Sequence, residues 1–291
     1  MARGLDHIVH AVRDLDAAAD LYRRLGFVVG TRNRHPWGTH NYVVQLHGFF
    51  IELLTLAEPE KRGNDGFSIM FGAYNGDFIT RHEGFSLLIL ESKDARSDAA
   101  TFSSAGIGAP EPLRFERDAK KPDGASVKVG FSLAFTEDKA ARDIHFAACE
   151  QHYPENFWNP AFQEHPNSVA GVAGVVVVAD QPGQHRQFFE AFADASAVAD
   201  SDGFAIVTPR GAIDVVTPAA YLRRFGLKPP EMTRGARLAA LRLAVTQPSR
   251  LQAAPELAGI AGLYVGNAAI IGSEDAMGAV LVFEPPVPRP R

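Results

Sequence analysis

A histidine and a glutamate near the N-terminus are of the types that do chemistry on bound small molecules. His7 lies in the apolar run at residues 5–12, and Glu52 lies in the apolar run at residues 49–56. An imidazole and a carboxylate held together can transfer protons or share a divalent metal. The alternative is a buried hydrogen-bonded pair that only holds two strands in register, because an unpaired buried carboxylate is costly.

The residues around Glu52 predict which side chains share its face. If His47-Gly48 is a two-residue hairpin turn, Val43 pairs with Glu52. Side chains alternate along strands, so one face carries this set: Asn41, Val43, Gln45, Phe50, Glu52 and Leu54. Two amides and a carboxylate beside apolar side chains favour a polar pocket over a solvent face. We therefore expect Asn41, Gln45 and Phe50 to bind substrate.

The elements that must position these residues form one βαβββ unit. Residues 5–12 predict a strand, and residues between Asp14 and Gly26 predict an amphipathic helix with an N-cap and a C-terminal glycine. Residues 27–31 predict a strand, residues 33–38 a loop, and residues 39–46 and 49–56 the closing hairpin.

The unit recurs along the chain. Residues 5–14 align without a gap to residues 85–94, an offset of 80, and Gly26 falls on Gly106 at the same offset. Weaker repeats begin at residues 172 and 238, and the last has a helix expected near residues 249–257. The pattern predicts an α+β fold of four βαβββ units, paired into two half-barrels with helices outside. A Pro- and aromatic-rich tract at 151–168 places the boundary between domains 1–168 and 169–291.

Composition narrows the function classes. The chain has 291 residues, 46% hydrophobic and 22% charged, and a net charge of −5. No concentrated basic face is present, so nucleic acid is not an expected partner. Cys149 is the only cysteine, which indicates a reducing compartment, and the N-terminus has no apolar signal segment. The longest apolar run, residues 172–179, is too short to span a bilayer. These features predict a cytoplasmic protein.

The order and spacing of these motifs resemble the vicinal oxygen chelate superfamily, and within it the glyoxalase-like domain family. The residues that carry the likeness over 4–168 include Leu5-Asp6-His7-Ile8-Val9, Leu25-Gly26-Phe27, Phe50-Ile51-Glu52-Leu53-Leu54 and Cys149-Glu150-Gln151-His152. The resemblance implies paired βαβββ units around a cleft. In its metal-using members each unit supplies a first-strand His or Gln and a last-strand Glu to a divalent metal.

Carried over to this sequence, the resemblance makes His7 and Glu52 the ligand pair of the first unit. The second unit departs from the pattern, because the ungapped alignment places Leu87 at the His position and a one-residue slip gives Ser86. Neither is a usual ligand of Fe, Mn, Zn or Ni, the divalent metals the resemblance implies. In the third unit only Asp214 stands at an acidic position.

A third ligand would come from the second unit. We take Glu150 for this role, with His145 and His152 as alternatives, since a one-residue change of strand register exchanges them. Glu52 and Glu150 are the expected catalytic carboxylates. His152 and Trp158, together with the amides and Phe50 of the first unit, are the expected substrate contacts.

Three functions fit the resemblance and the residues. The first is a metal-assisted lyase, isomerase or dioxygenase that acts on a small oxygenated molecule. The second is a metal-free protein that binds or sequesters a small molecule in the same cleft, which the leucine at the second His position favours. The third is a scaffold whose degenerate second half buries surface or forms a homodimer.

Overall fold

The fold consists of two eight-stranded mixed sheets. The computed structural model describes residues 1–120, 124–250 and 258–286. The strands of the first sheet are β1 (Leu5–Ala11), β2 (Asn33–Arg34), β3 (Thr39–Leu46), β4 (Phe49–Leu56), β5 (Gly84–Glu91), β6 (Leu113–Lys120), β7 (Ser126–Thr136) and β8 (His145–Gln151). Their order is β2-β3-β4-β1-β5-β8-β7-β6, as expected for two βαβββ units side by side. The predicted α+β fold is confirmed.

The second sheet repeats this order. Its strands are β9 (Val169–Val178), β10 (Val198–Asp200), β11 (Gly203–Val207), β12 (Ala212–Val216), β13 (Arg237–Val245), β14 (Leu263–Val265), β15 (Ala268–Ile271) and β16 (Val280–Glu284). The order is β10-β11-β12-β9-β13-β16-β15-β14. The helix expected at 249–257 lies mostly outside the described residues. The residues just before the gap, 248–250, form one 3₁₀ turn.

Six α-helices are described. They are α1 (Leu15–Arg24), α2 (Tyr74–Arg81), α3 (Ala95–Ser104), α4 (Pro154–Phe157), α5 (Arg186–Ala193) and α6 (Pro218–Phe225), and a π-helical segment, Ser68–Ala73, leads into α2. In the described part of the chain, none of them is long and apolar enough to cross a membrane.

The offset of 80 is visible in the helix caps. The Asp14 carboxylate accepts a hydrogen bond from the backbone N–H of Ala17, and the Asp94 carboxylate accepts one from Ser97. Each satisfies an N–H group that the first turn of a helix leaves without an intrahelical partner. The same local sequence therefore starts α1 and α3 in the same way.

The strand expected at residues 27–31 is absent, and the expected loop contains β2 instead. The backbone N–H of Val28 donates to the imidazole of His165, and the N–H of Gly30 donates to the Val43 carbonyl. A side chain that comes from the tract 151–168 thus replaces the ladder partner that a strand here would need. The strand forms later, where Asn33 pairs with Asn41 of β3.

One continuous core joins the outer faces of both sheets with α1, α3 and α5. Phe146 of β8 contacts Phe188, Phe189 and Phe192 of α5, which belongs to the second half of the chain. The two halves share this core, so the division into two sheets does not establish two separate domains. The boundary at residue 168 stays a prediction.

The inner faces of the two sheets differ. In the second sheet, α6 packs Tyr221 and Phe225 against the face that carries Asp214. In the first sheet, the helical segment 68–81 covers part of the equivalent face, and Tyr74 stacks on His145 with ring centroids 3.3 Å apart. Elsewhere on that face, α4 contributes Phe157, whose ring centroid lies 5.0 Å from that of Phe50, the residue that pairs with His7.

A glycine sets a close approach between the two halves. Gly235 has φ +98°, and a Cβ there would lie 1.8 Å from the carbonyl oxygen of Ala140. Gly235→Ala is therefore expected to lower the free energy of unfolding by about 1–3 kcal/mol from the positive φ, and further from the clash. Gly106→Ala is the control, since Gly106 has φ +70° and open space around it. Equal losses for both variants in urea unfolding would contradict the close approach.

Candidate active site

A cavity of about 100 Å³ opens on the inner face of the first sheet. Most of its wall is aromatic, and its polar groups lie along one side. It is lined by His7, Asn33, His35, Trp37, Asn41, Val43, Phe50, Glu52, Phe67, Phe71, Phe115, Arg117, Phe131, Leu133, Cys149 and Phe157. A wall of this kind, with a few polar groups that converge on one point, is typical of small-molecule sites.

His7 is held in place by its neighbour Asp6. The strand β1 shifts register between Leu5 and His7 against β5, and this bulge leaves Asp6 and His7 close enough to bond although they are consecutive. The Asp6 carboxylate lies 2.6 Å from Nδ1 of His7, and both side chains are buried. Phe50 stacks on the imidazole with centroids 4.2 Å apart. With Nδ1 engaged, Nε2 is the imidazole nitrogen left for a ligand.

Glu52 lies on the neighbouring strand of the same face. Val43 pairs with Glu52 across the predicted hairpin, and Val9 pairs with it from β1. The Asn41 amide donates a 2.5 Å hydrogen bond to the Glu52 carboxylate. Burial raises the pKa of Glu52 above its ordinary value, while the nearby His7 and the Asn41 hydrogen bond act in the opposite direction. Glu52 thus holds a proton to a higher pH than an exposed glutamate does.

Two more of the predicted contacts lie in a second cavity of about 360 Å³ that adjoins the first. Both Gln45 and Trp158 line it, and it shares Asn33, Val43, Arg117 and Phe157 with the inner cavity. The Gln45 amide donates to the Phe157 carbonyl at 2.7 Å, and its oxygen accepts from the N–H of Asn159. Gln45 therefore anchors the tract 151–168 beside the cavity.

Glu150 and His152 lie on the other side of β8. The backbone N–H of Ala95, at the start of α3, donates to the Glu150 carboxylate at 2.9 Å. His152 Nε2 lies 2.8 Å from the Ser132 hydroxyl. Neither Glu150 nor His152 is among the described residues that line the inner cavity. Side chains alternate along the strand, and Cys149 is the one that points inward. The structure does not bring the expected third ligand to His7 and Glu52.

The second unit offers apolar side chains at the corresponding positions. Leu87, at the offset of 80 from His7, is fully buried in the inner core. Glu52 pairs with Val9, and the same pairing in the second unit joins Ile89 to Ala147, so alanine stands at the second glutamate position. Ser86 instead donates to the side-chain oxygen of Asn75.

His145 is also unavailable as a ligand of this cavity. It lies under Tyr74, and burial lowers its pKa to about 4. In the second sheet, the Asp214 carboxylate accepts a 2.6 Å bond from Arg242, which also pairs with Glu284. The acidic position of the third unit is therefore neutralised inside the protein.

The donors present do not fit a four-residue metal site with two His and two Glu, because two of its positions are leucine and alanine. Within the described residues, one group could hold a metal with fewer protein ligands. It consists of Asp6, His7 and Cys149, whose donor atoms lie within 4.8 Å of one another. Burial, followed by the nearby carboxylates, raises the pKa of the Cys149 thiol well above its usual value. This thiol is therefore protonated at neutral pH unless a metal displaces the proton.

Four of the residues in or beside the site were not identified from the sequence. Regular alternation along β1 would place Asp6 on the face opposite to His7, and the bulge interrupts that alternation. Asn33 and Arg117 lie in segments that carry no distinctive motif. They are on β2 and β6, the two edge strands of the sheet, and their side chains bond each other at the cavity. Cys149, used above only as an indicator of a reducing compartment, lines the cavity because side chains alternate along β8.

The comparisons with known proteins agree on the fold. The profile of a family described as "Glyoxalase-like domain" matches residues 5–192. A hypothetical protein from Staphylococcus aureus has TM-score 0.68 and 15% identity over 97% of this chain and 99% of that one. No curated protein matches this chain.

Two enzymes share the fold. A mutant of 4-hydroxymandelate synthase from Streptomyces coelicolor has TM-score 0.62 and 12% identity, with 100% of this chain and 95% of that chain covered. The 2,2',3-trihydroxybiphenyl 1,2-dioxygenase from Sphingomonas wittichii has TM-score 0.52 and 11% identity, with 97% and 90% covered. At these identities the likeness concerns the fold alone.

Proposed function

Because the chain belongs to the glyoxalase-like domain family of the vicinal oxygen chelate superfamily, we propose that it is an enzyme acting on a small oxygenated molecule by proton transfer. The observation that carries this proposal is a buried imidazole and a buried carboxylate that face one aromatic-lined cavity. Lyases and isomerases of carbonyl compounds share such a step, the removal of a proton next to a carbonyl group.

The two groups have complementary roles in this proposal. Asp6 bonds Nδ1 of His7, so Nε2 accepts a proton from a carbon next to the substrate carbonyl. The electron pair of that C–H bond moves to the carbonyl oxygen, and the protonated Glu52 carboxyl donates its proton there to give the enol. The raised pKa of Glu52 supports its role as the acid, because it keeps more of the carboxyl protonated.

The test uses hydrogen exchange with solvent. Phenylpyruvate and its methyl ester each carry a methylene group next to a carbonyl, and ¹H NMR in D₂O follows the loss of its signal. With chelator present, the protein is expected to accelerate the exchange of at least one of them above the rate in buffer. Binding without exchange, both in chelator and after divalent metal is added back, would contradict proton transfer and leave a metal-free binding protein.

A divalent metal, Fe, Mn, Zn or Ni, is the second candidate, and the Asp6, His7 and Cys149 cluster favours it. His7 would be a ligand through one nitrogen, together with the Cys149 thiolate or a carboxylate, and the metal would polarise the substrate oxygen. Elemental analysis of protein purified without chelator distinguishes the two candidates. Stoichiometric metal that is lost in His7→Ala would support this candidate. Acceleration of exchange that persists in chelator would show that the metal is not needed.

A further inference from the structure

Arg117 lies where the two cavities meet. It is on β6, paired with Val129 of β7, and it lines both the inner and the outer cavity. Its guanidinium donates to the Asn33 side-chain oxygen at 3.2 Å and to the backbone carbonyl of Asp118 at 3.3 Å. Both acceptors are neutral, so these bonds orient the cation without neutralising it.

In the part of the chain that the structure describes, the charge of Arg117 has no ion-pair partner. In the described residues no carboxylate lies within ion-pair distance of it, whereas Arg3 pairs with Asp98 and Arg242 with two carboxylates. Burial lowers the pKa of the Arg117 guanidinium, and no nearby acid opposes that shift. A half-buried cation without a counter-charge is costly, and an anion in the adjoining cavity would remove that cost.

The groups beside Arg117 leave its charge available to a ligand. Burial, with the charge of Arg117, lowers the pKa of His35 to about 3, so His35 is neutral and does not act as a second cation. Glu52 is separated from Arg117 by two amides: Asn41 donates to Glu52, and Asn33 donates to Asn41 at 3.1 Å. The negative and positive groups of the site therefore stand at opposite ends of one hydrogen-bonded chain.

Flat apolar surfaces lie next to the cation. Trp37 stacks on Phe67 with centroids 4.8 Å apart, and Phe115 meets Trp37 edge-on at 4.9 Å. Phe115 is two residues from Arg117 on the same strand, so ring and guanidinium face the same side of the sheet. A planar ligand body against these rings would place one end at Arg117.

We propose that Arg117 selects the ligand of this cavity, which is a small molecule with a flat apolar body and a carboxylate group. The body lies among the aromatic rings of the inner cavity, and the carboxylate pairs with Arg117 at the boundary with the outer cavity. This inference rests on the proposed function in one respect, that the ligand occupies the same cavity. It adds the charge of the ligand, its orientation and the residue that recognises it.

The test compares the binding of phenylacetate and phenylacetamide, two molecules that differ in charge, by a measurement that does not depend on exchange chemistry. The protein has two tryptophans, Trp37 in the inner cavity and Trp158 in the outer one, so tryptophan fluorescence reports on both cavities. Phenylacetate is expected to bind about 10-fold or more tightly than the amide, as for a hydrogen bond to a charged group. Added salt should weaken only the binding of the acid.

Variants of Arg117 distinguish specific recognition of the carboxylate from a general effect of positive charge. Arg117→Met is expected to remove the preference for the acid, and Arg117→Lys to keep part of it, because a lysine retains the charge without the planar fork. Arg114→Met is the matched control, since Arg114 is an exposed residue of the same strand that pairs with Glu116. If Arg117→Met is unstable, the salt dependence of the natural protein still decides the question.

Other outcomes are equally decisive. Equal binding of acid and amide, or a preference that survives in Arg117→Met, would overturn the role of Arg117 and leave the proton-transfer proposal standing if exchange is observed. Binding of neither molecule would overturn the proposed ligand class. A clear preference for the acid without any exchange would support Arg117 and contradict the proposed function.

Discussion

Replacing His7 with asparagine is expected to lower the rate of protein-catalysed exchange of phenylpyruvate by about 10²–10⁴-fold, the usual contribution of a general base. Asparagine fills much of the same space and can still bond Asp6, but it cannot accept a proton at neutral pH. The affinity for phenylacetate should change far less than the rate of exchange, because the groups expected to hold the acid lie elsewhere in the cavity.

His152→Asn is the matched control for this prediction. His152 is a half-buried histidine of the first half of the chain, and its Nε2 lies against Ser132 outside the inner cavity. Its replacement should leave the exchange rate unchanged. If His7→Asn retained the full rate with unchanged circular dichroism and thermal midpoint, His7 would not be the base. The buried pair would then serve only to hold the strands.

Phe146→Ala is expected to lower the free energy of unfolding by about 3–5 kcal/mol, the cost of deleting a fully buried aromatic side chain. The ring is 0% exposed and packs on three phenylalanines of α5, so the cavity left by alanine would lie between the two halves of the chain. Urea unfolding followed by fluorescence and circular dichroism measures this loss.

Phe131→Ala provides the comparison, since Phe131 is only partly buried and lines the cavity of the first sheet. It should cost clearly less. A single transition that moves as a whole in Phe146→Ala would mean that the halves fold together. Two transitions, of which only one moves, would contradict the cooperative core and support the boundary predicted at residue 168.

The fold could be predicted from local features of the sequence, such as helix caps and tight turns. Asp14 and Asp94 cap helices because a short acidic side chain satisfies free N–H groups of the first turn. The pairing of Val43 with Glu52 followed from a two-residue turn at His47-Gly48, and it is confirmed. Such features depend on neighbours along the chain, so they can be inferred without knowing what lies across the sheet.

The site could be predicted only in its first half. His7, Asn41, Phe50 and Glu52 were identified because they lie on strands whose register is set by one short hairpin. Glu150 is the predicted third ligand because it is a carboxylate in the right segment. In the structure, the alternation of side chains along β8 points Cys149 into the cavity instead. A single residue of register decides this, and nothing local in the sequence specifies it.

The sequence by itself determined the βαβββ units, their repetition and the placement of His7 and Glu52 on one face, since these follow from turns, caps and alternation along the chain. Only the tertiary structure decided that a bulge brings Asp6 to His7, and that Arg117 lies beside the cavity with no ion-pair partner among the described residues. It also decided that α6 fills the second sheet. These depend on contacts between segments far apart in the chain, where packing and burial select the arrangement.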